Sequence, residues 1–315
     1  MKQRKLLSAF FMLLVTAVAL TTASYAWFSV NTAVQLAGLD VNVTAAEGIQ
    51  VSTDAVTWKA SLELADISTG YAGHKNQLPT ILDPVSTVGS QLVGTFAMFR
   101  GVLVESTTTT LTATAETDTA GSTGRYIAFD LFIKATSSTP IYLDNVSGIV
   151  YSGTGSVGLE YSTRVAFFNQ GTDATSTPAT ARALAAGTSA VQEVWEPYAK
   201  SHTAVAIGNG ASTLAKTAYY GVKAIGTGLT TTAFAGDPTH YGTVTTITPD
   251  TDLVAFDSTD PNNIIFTAGV GITKVRVYIW IEGQDVDCEN SASLGTKVDA
   301  ASKLTATIKF KKLVS

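Results

Sequence analysis

Short segments recur along this chain in which apolar side chains occupy every second position. The clearest are residues 127–134, 164–168, 275–282 and 304–311. Because the side chains of a β-strand point alternately to its two faces, this period of two predicts half-buried strands. Polar turn clusters such as residues 121–124 separate the segments. The sequence therefore predicts an all-β protein.

We interpret these strands as one antiparallel β-sandwich with a long insertion at about residues 171–262. Lys309 and Lys311 lie on the polar face of the last segment. Lysines in that position are typical of an edge strand, because they discourage pairing with another chain. The Thr-rich residues 107–119 fit either a low-complexity loop or an exposed edge strand.

Helix signals are few in this sequence. Thr177 and Pro178 precede an alanine-rich run, residues 179–186, which Gly187 follows. This order of cap, proline and glycine predicts one short helix. Residues 211–224 are a candidate for a second one.

The first 26 residues have the pattern of a secretory signal peptide. Residues 2–5 are mostly basic, residues 6–20 are mostly apolar, and residues 24–26 offer the small side chains of a cleavage site. We expect cleavage after Ala26, and hence a secreted or cell-surface protein that meets the membrane only before cleavage. The alternative is an uncleaved anchor, for which the apolar run is short.

Residues 27–37 follow the cleavage site, and the phase of their alternation differs from that of the next strand. Before Gly38 the even positions carry Phe28, Val30, Val34 and Leu36, whereas after it the odd positions carry Leu39, Val41 and Val43. One interpretation is a single strand with a β-bulge at Gly38. The other is two strands, with residues 39–44 in this domain and residues 27–36 free to join the sheet of another chain. On that interpretation the assembly interface comprises Trp27, Phe28, Val30, Val34, Leu36 and Gly38.

Charge and cysteine content exclude several classes of function. The 315 residues include 20 Lys+Arg and 25 Asp+Glu, a net charge of −5, which argues against a nucleic-acid partner. A single cysteine, Cys288, allows no internal disulfide. Its acidic neighbours disfavour the thiolate, so a structural thiol or an intermolecular partner fits better than a nucleophile.

The sequence carries none of the common catalytic motifs that we sought, and we expect no enzyme and no cofactor. It has no HExxH, no GxSxG and no P-loop. Paired carboxylates of a glycosidase would leave no such motif, which keeps a secreted hydrolase as a third hypothesis. The three histidines are far apart, as expected of solvated loop residues.

Acidic clusters are the candidate metal ligands. Asp285, Asp287 and Glu289 are spaced by two, so an extended chain places all three on one side. Hard cations such as Ca²⁺ bind oxygen ligands of this kind, and a solvated acidic loop is the alternative. A second acidic group lies within residues 250–260.

The N-terminal residues also carry a resemblance to a known family. Ala26-Trp27-Phe28-Ser29-Val30-Asn31, followed by the strand Leu39-Asp40-Val41-Asn42-Val43-Thr44-Ala45, resembles the start of TasA/camelysin-like proteins of Gram-positive bacteria. The resemblance covers about the first 45 residues. It implies a jelly-roll β-sandwich that polymerises into extracellular fibres, with residues 27–36 donated to the next subunit.

Two non-enzymatic functions remain open from the sequence, besides the secreted hydrolase. The first is a secreted biofilm-matrix or surface protein that assembles with copies of itself through residues 27–37, the sandwich being residues 38–315, with other matrix or cell-wall components as further candidate partners. The second is a monomeric adhesin or carbohydrate-binding module. Exposed aromatic side chains would carry its binding. The candidates are Trp58, Trp195, Trp280, Tyr219 and Tyr220.

Overall fold

The computed structural model describes residues 38–46, 48–80, 82–92, 95–104, 110–144, 146–152, 159–185, 193–195, 233–234, 264–282 and 303–312. Its strands are β1 (Gly38–Thr44), β2 (Gln50–Ser52), β3 (Ser61–Leu62), β4 (Ser86–Leu92), β5 (Thr95–Val104), β6 (Thr110–Glu116), β7 (Ile127–Ala135), β8 (Thr139–Leu143), β9 (Gly148–Ser152), β10 (Thr163–Asp173), β11 (Glu193–Trp195), β12 (Ala233–Phe234), β13 (Phe266–Ala268), β14 (Gly271–Ile281) and β15 (Lys303–Lys311). The described helices are α1 (Leu64–Thr69), α2 (Leu159–Ser162) and α3 (Pro178–Ala183). The predicted all-β class is thus confirmed for the described residues.

Six strands form the first sheet, in the order β13–β8–β15–β1–β3, with β9 also paired to β15. β15 lies in the middle of this sheet. β1 pairs with one of its edges in parallel, and β8 and β9 pair in turn with the other edge in the antiparallel sense. The predicted edge strand carrying Lys309 and Lys311 is therefore wrong, and so is a purely antiparallel sandwich. The two lysines mark the solvent-facing side of a central strand, where Lys309 Nζ lies 3.7 Å from Asp144 Oδ2.

Five antiparallel strands form the second sheet, in the order β11–β10–β14–β7–β2. One of its faces packs against the first sheet and forms the main core with it. Phe167 of β10 contacts Phe310 of β15 and Phe266 of β13, with ring centroids 6.1 and 6.4 Å apart. The two sheets are the layers of a sandwich.

The third sheet has the order β12–β6–β5–β4, and Phe96 and Met98 of its strand β5 pack on the other face of the second sheet. The Phe96 ring of β5 lies 4.9 Å from that of Phe168 and 5.4 Å from those of Tyr278 and Trp280. The outer face of the second sheet is therefore buried. Residues 110–116 form the strand β6, as one interpretation of the Thr-rich segment predicts, but β6 lies between β12 and β5 and is not the predicted edge strand.

Burial on both faces corrects the prediction of half-buried strands in the second sheet. Every residue of β14 is buried, and so is every residue of β7 except Lys134. Alternation in these strands separates two buried environments. The one towards the first sheet is mainly apolar, and the one on the opposite side is polar and aromatic. In β15 the prediction is confirmed, because buried and half-buried residues alternate along its whole length.

The short helix after residue 177 is confirmed, although it ends earlier than predicted. Thr177 is the N-cap of α3 and Pro178 its first residue, but the C-cap is Leu184 rather than Gly187. Asp173 stabilises the turn before this helix, because its carboxylate accepts hydrogen bonds from the N–H of Thr175 at 3.1 Å and of Thr177 at 2.7 Å. The second candidate, residues 211–224, lies outside the described residues. No helix in the described ranges has the length and apolarity needed to cross a membrane.

Candidate functional site

β1 joins the sandwich to the N-terminal residues. Its whole length, from Gly38 to Thr44, pairs with β15 on one edge. On the other edge β3 reaches only Val43 and Thr44. Residues 38–42 thus have a strand partner on one edge only, as far as the described ranges extend. An edge of this kind presents main-chain N–H and C=O groups to an additional strand.

The structure places only part of the predicted assembly interface. Gly38 is the first residue of β1, and Val43 is fully buried in the core. Residues 39–44 therefore belong to a strand of this sandwich, as predicted. The cleavage site Ala26 and five interface residues lie outside the described residues: Trp27, Phe28, Val30, Val34 and Leu36.

The predicted calcium ligands Asp285, Asp287 and Glu289 also lie outside the described residues, as do Cys288 and residues 250–260. Within the described ranges, no three His, Cys, Asp or Glu side chains form a group that could hold a metal ion. His74 belongs to the loop after α1, where its Nδ1 accepts a hydrogen bond from the N–H of Asn76 at 3.0 Å.

Two of the aromatic residues predicted to bind glycans are buried, which corrects that prediction. Trp195 is 3% exposed and Trp280 is 1% exposed. The indole N–H of Trp280 donates to Oε2 of the buried Glu282 at 3.1 Å. Trp58 is half-buried beneath the Lys134 ammonium, which lies 5.6 Å from its ring. Tyr219 and Tyr220 lie outside the described residues.

A cluster of buried charged and phenolic side chains covers the outer face of the second sheet, and we call it the buried ionic cluster. It comprises Tyr71, Asp118, Tyr126, Asp130, Lys274, Arg276 and Tyr278. Arg276 of β14 is opposite Asp130 of β7 in the strand register. Their side chains meet at 3.1 Å, and Arg276 Nη2 also lies 2.8 Å from Asp118 Oδ2.

Lys274 and Tyr71 complete the cluster around Asp130. Lys274 Nζ lies 3.3 Å from Asp130 Oδ2, and the Tyr71 hydroxyl donates to the same oxygen at 2.6 Å. Lys274 Nζ also donates to the backbone oxygen of Arg182 at 2.9 Å and to the Tyr71 hydroxyl at 3.4 Å. The Lys274 amine thus has three polar partners, and one of them is an oxygen of the Asp130 carboxylate.

Burial and mutual attraction both move the pKa values in this cluster. Burial raises the pKa of Asp130, but the cations Arg276 and Lys274 outweigh it and leave that pKa below its ordinary value. Burial lowers the pKa of Lys274 and exceeds the opposing attraction of Asp130. Burial and the charge of Asp130 raise the pKa of the Tyr71 phenol. Asp130 is therefore ionised at neutral pH, whereas Lys274 gives up its proton more readily than an exposed lysine.

A loop between α1 and β4 holds the cluster in place through two buried amide side chains. Asn76 Oδ1 accepts the N–H of Asp130 at 2.9 Å, and its Nδ2 donates to the backbone oxygen of Ile67 at 2.8 Å. Gln77 Nε2 donates to the backbone oxygen of Tyr126, and its Oε1 accepts the N–H of Thr119, both at 2.6 Å. Because these buried polar groups are satisfied, the loop has a fixed position over β7.

Sequence reasoning did not identify this cluster, although a signal for it was present. Asp130 interrupts the apolar segment 127–133, and Arg276 interrupts the apolar segment 275–281. Opposite charges inside two otherwise apolar strands indicate a buried pair whenever the strands are neighbours. The pairing of β7 with β14, almost 150 positions apart in sequence, could not be read from either strand alone.

Comparisons of the chain with family models, with curated proteins and with solved structures gave no match.

Proposed function

We propose that this chain is a secreted structural protein that assembles into extracellular filaments by donating residues 27–36 to the sheet of the next subunit. The observation that carries the proposal is the position of β1. Residues 27–36 immediately precede a strand that is paired along one edge and covered by β3 only at Val43 and Thr44 on the other. The segment proposed as the donor therefore lies close in sequence to a strand that offers an available edge.

Physical considerations favour a strand that binds another subunit. Burying Phe28, Val30, Val34 and Leu36 in an acceptor contributes on the order of 6–10 kcal/mol before ordering costs. Main-chain hydrogen bonds to the acceptor edge add directionality. Because donor and acceptor are different surfaces, the contact is head-to-tail, and a head-to-tail contact that does not close generates a filament. We further propose that the sandwich has jelly-roll topology.

The alternative function, a monomeric glycan-binding module, has less support. Its aromatic candidates Trp195 and Trp280 are buried in the fold, where they act as packing residues. Size-exclusion chromatography separates the alternatives, since the adhesin elutes as a monomer at every concentration and the filament protein does not.

Charge substitutions on the two faces of the donor segment test the proposal. Val30→Asp with Val34→Asp places two carboxylates on the apolar face, and we expect this variant to remain monomeric in sedimentation velocity. The matched control, Asn31→Asp with Gln35→Glu, adds the same charge to the polar face and should still assemble. Equal assembly of both variants would show that the apolar face is not the interface.

A further inference from the structure

Lys274 and Asp130 form an ion pair, but the same arrangement also holds an amine beside a carboxyl group with which it could react. The residues lie on the neighbouring strands β14 and β7, and Lys274 Nζ is 3.3 Å from Asp130 Oδ2. Their side chains are 8% and 6% exposed. The rings of Phe132 and Tyr71 lie 5.9 and 6.0 Å from the ammonium. An amine and a carboxyl group are thus held together in an aromatic enclosure.

Because the amine and the carboxyl group are held close together in this enclosure, their condensation is favoured relative to that of the same two groups free in solution. Holding two reacting groups within about 3–3.5 Å replaces a bimolecular encounter by an effectively unimolecular step. The backbone oxygen of Arg182 also holds the amine, at 2.9 Å from Nζ. Exclusion of water also opposes the reverse reaction, because hydrolysis of an amide needs a water molecule at the carbonyl carbon.

Tyr71 provides a path for the proton that must leave the ammonium. Lys274 Nζ donates to the Tyr71 hydroxyl at 3.4 Å, and that hydroxyl donates to Asp130 Oδ2 at 2.6 Å. Transfer along these two hydrogen bonds converts the ammonium–carboxylate pair into a neutral amine and a neutral carboxylic acid. The hydroxyl regains a proton as it gives one up, so no phenolate forms.

The rest of the buried ionic cluster remains balanced when this pair becomes neutral. Arg276 Nη2 and Asp118 Oδ2 form their own ion pair at 2.8 Å, so one buried positive charge and one buried negative charge persist. Arg276 Nη1 lies 3.1 Å from Asp130 Oδ1 and polarises the carboxyl group. It is placed to stabilise negative charge on that oxygen when a nucleophile adds to the carboxyl carbon.

We propose that Lys274 and Asp130 condense to form an intramolecular isopeptide bond. The neutral Nζ attacks Cγ of Asp130, and the new N–C bond replaces the bond from Cγ to Oδ2. Oδ2 leaves as water with one proton delivered through Tyr71 and one from the attacking amine. The ammonium loses two protons in total, so no oxidant, cofactor or external reagent is consumed. The amide oxygen is the former Oδ1, which keeps its hydrogen bond from Arg276.

The bond would cross-link β7 to β14 in the centre of the second sheet. It would supply a covalent constraint that the single cysteine of this chain cannot supply through an internal disulfide. The reaction requires only a folded subunit and does not depend on filament assembly.

Mass spectrometry of the purified, denatured full chain tests the proposal. We expect proteolysis to yield one branched fragment that joins the peptides of Asp130 and Lys274 and weighs one water less than their sum. Recovery of the two peptides only as separate species, at the masses given by their sequences, would overturn the proposal. This readout on the unaltered chain is independent of whether any variant folds.

Variants assign the bond to these two residues. Lys274→Arg keeps the positive charge but removes the nucleophile, and it should abolish the branched fragment. The control Lys134→Arg changes an exposed lysine of the same sheet and should retain it. Tyr71→Phe should slow the loss of water in a time course after refolding. Persistence of the branched fragment in Lys274→Arg would contradict the assignment.

Discussion

Arg276 and Asp130 are direct cross-strand partners of β14 and β7, and their side chains form a 3.1 Å ion pair in which neither is more than 6% exposed. Asp118 binds the same guanidinium at 2.8 Å from outside the sheet. One arginine therefore joins a strand pair to the loop that covers it. A buried charge with two carboxylate partners contributes to stability only while every partner is present.

Removing Arg276 should be severely destabilising. Arg276→Met leaves Asp118 and Asp130 without their common cation, and we expect the free energy of unfolding to fall by about 3–5 kcal/mol. Urea denaturation followed by tryptophan fluorescence measures the change. The control is Lys309→Met, which breaks the exposed pair with Asp144 and should cost no more than about 1 kcal/mol. Equal losses in the two variants would contradict a structural role for the cluster.

Removing the aromatic contact between the third sheet and the second should lower the stability of the fold by a similar amount. Phe96 is 1% exposed and contacts the rings of Phe168, Tyr278 and Trp280. Phe96→Ala should lower the free energy of unfolding by about 3–5 kcal/mol, because it leaves a cavity between these rings. Val56→Ala, at a side chain that is 55% exposed, should have an effect within about 0.5 kcal/mol.

Gly271, the first residue of β14, should tolerate no side chain. Its φ of +105° suits glycine, and a Cβ there would collide with the backbone oxygen of Asp173. We expect Gly271→Ala to lower the thermal unfolding midpoint clearly, with a cost of roughly 1–3 kcal/mol. Gly148→Ala is the matched control, since a Cβ at Gly148 meets no atom within 4 Å. A similar change in both variants would contradict the close approach of the Asp173 backbone to Gly271.

Asp173 should make the stability of the fold depend on pH under acidic conditions. Hydrogen bonds, chiefly from the Thr175 hydroxyl, hold the pKa of Asp173 below its ordinary value of 3.8. Its stabilising contribution is therefore complete above the unfolded-state pKa and is lost as the pH falls through the lower folded-state pKa. The difference in stability between the wild type and Asp173→Ala should be measurable at neutral pH and should shrink below about pH 4. The effect of Ser137→Ala, which removes no titrating group, should not change with pH.

Sequence patterns predicted the strand content well, but they could not predict which faces are buried. Alternation in β7 and β14 predicts one buried and one exposed face, because a single strand carries no information about layers far away in sequence. Phe96 and residues 71–77 cover the second face, so that face is buried rather than exposed. Lys309 and Lys311 similarly indicated a sheet edge, whereas they lie on the outer face of a central strand.

The candidate site shows the same division between local and long-range information. The period-two pattern of residues 39–44 predicted the strand β1, because that signal is local. The cluster of Asp130, Lys274, Arg276 and Tyr71 depends on strand pairing and on a loop some 200 positions from β14. No local period encodes such contacts, and only the folded chain brings these four residues together.

Electron microscopy of the purified chain after removal of residues 1–26, compared with a version that also lacks residues 27–36, tests the central claim most directly. Our account predicts filaments from the first protein and only folded monomers, with unchanged circular dichroism, from the second. Filaments that persist after the deletion would contradict assembly by donation of the N-terminal strand.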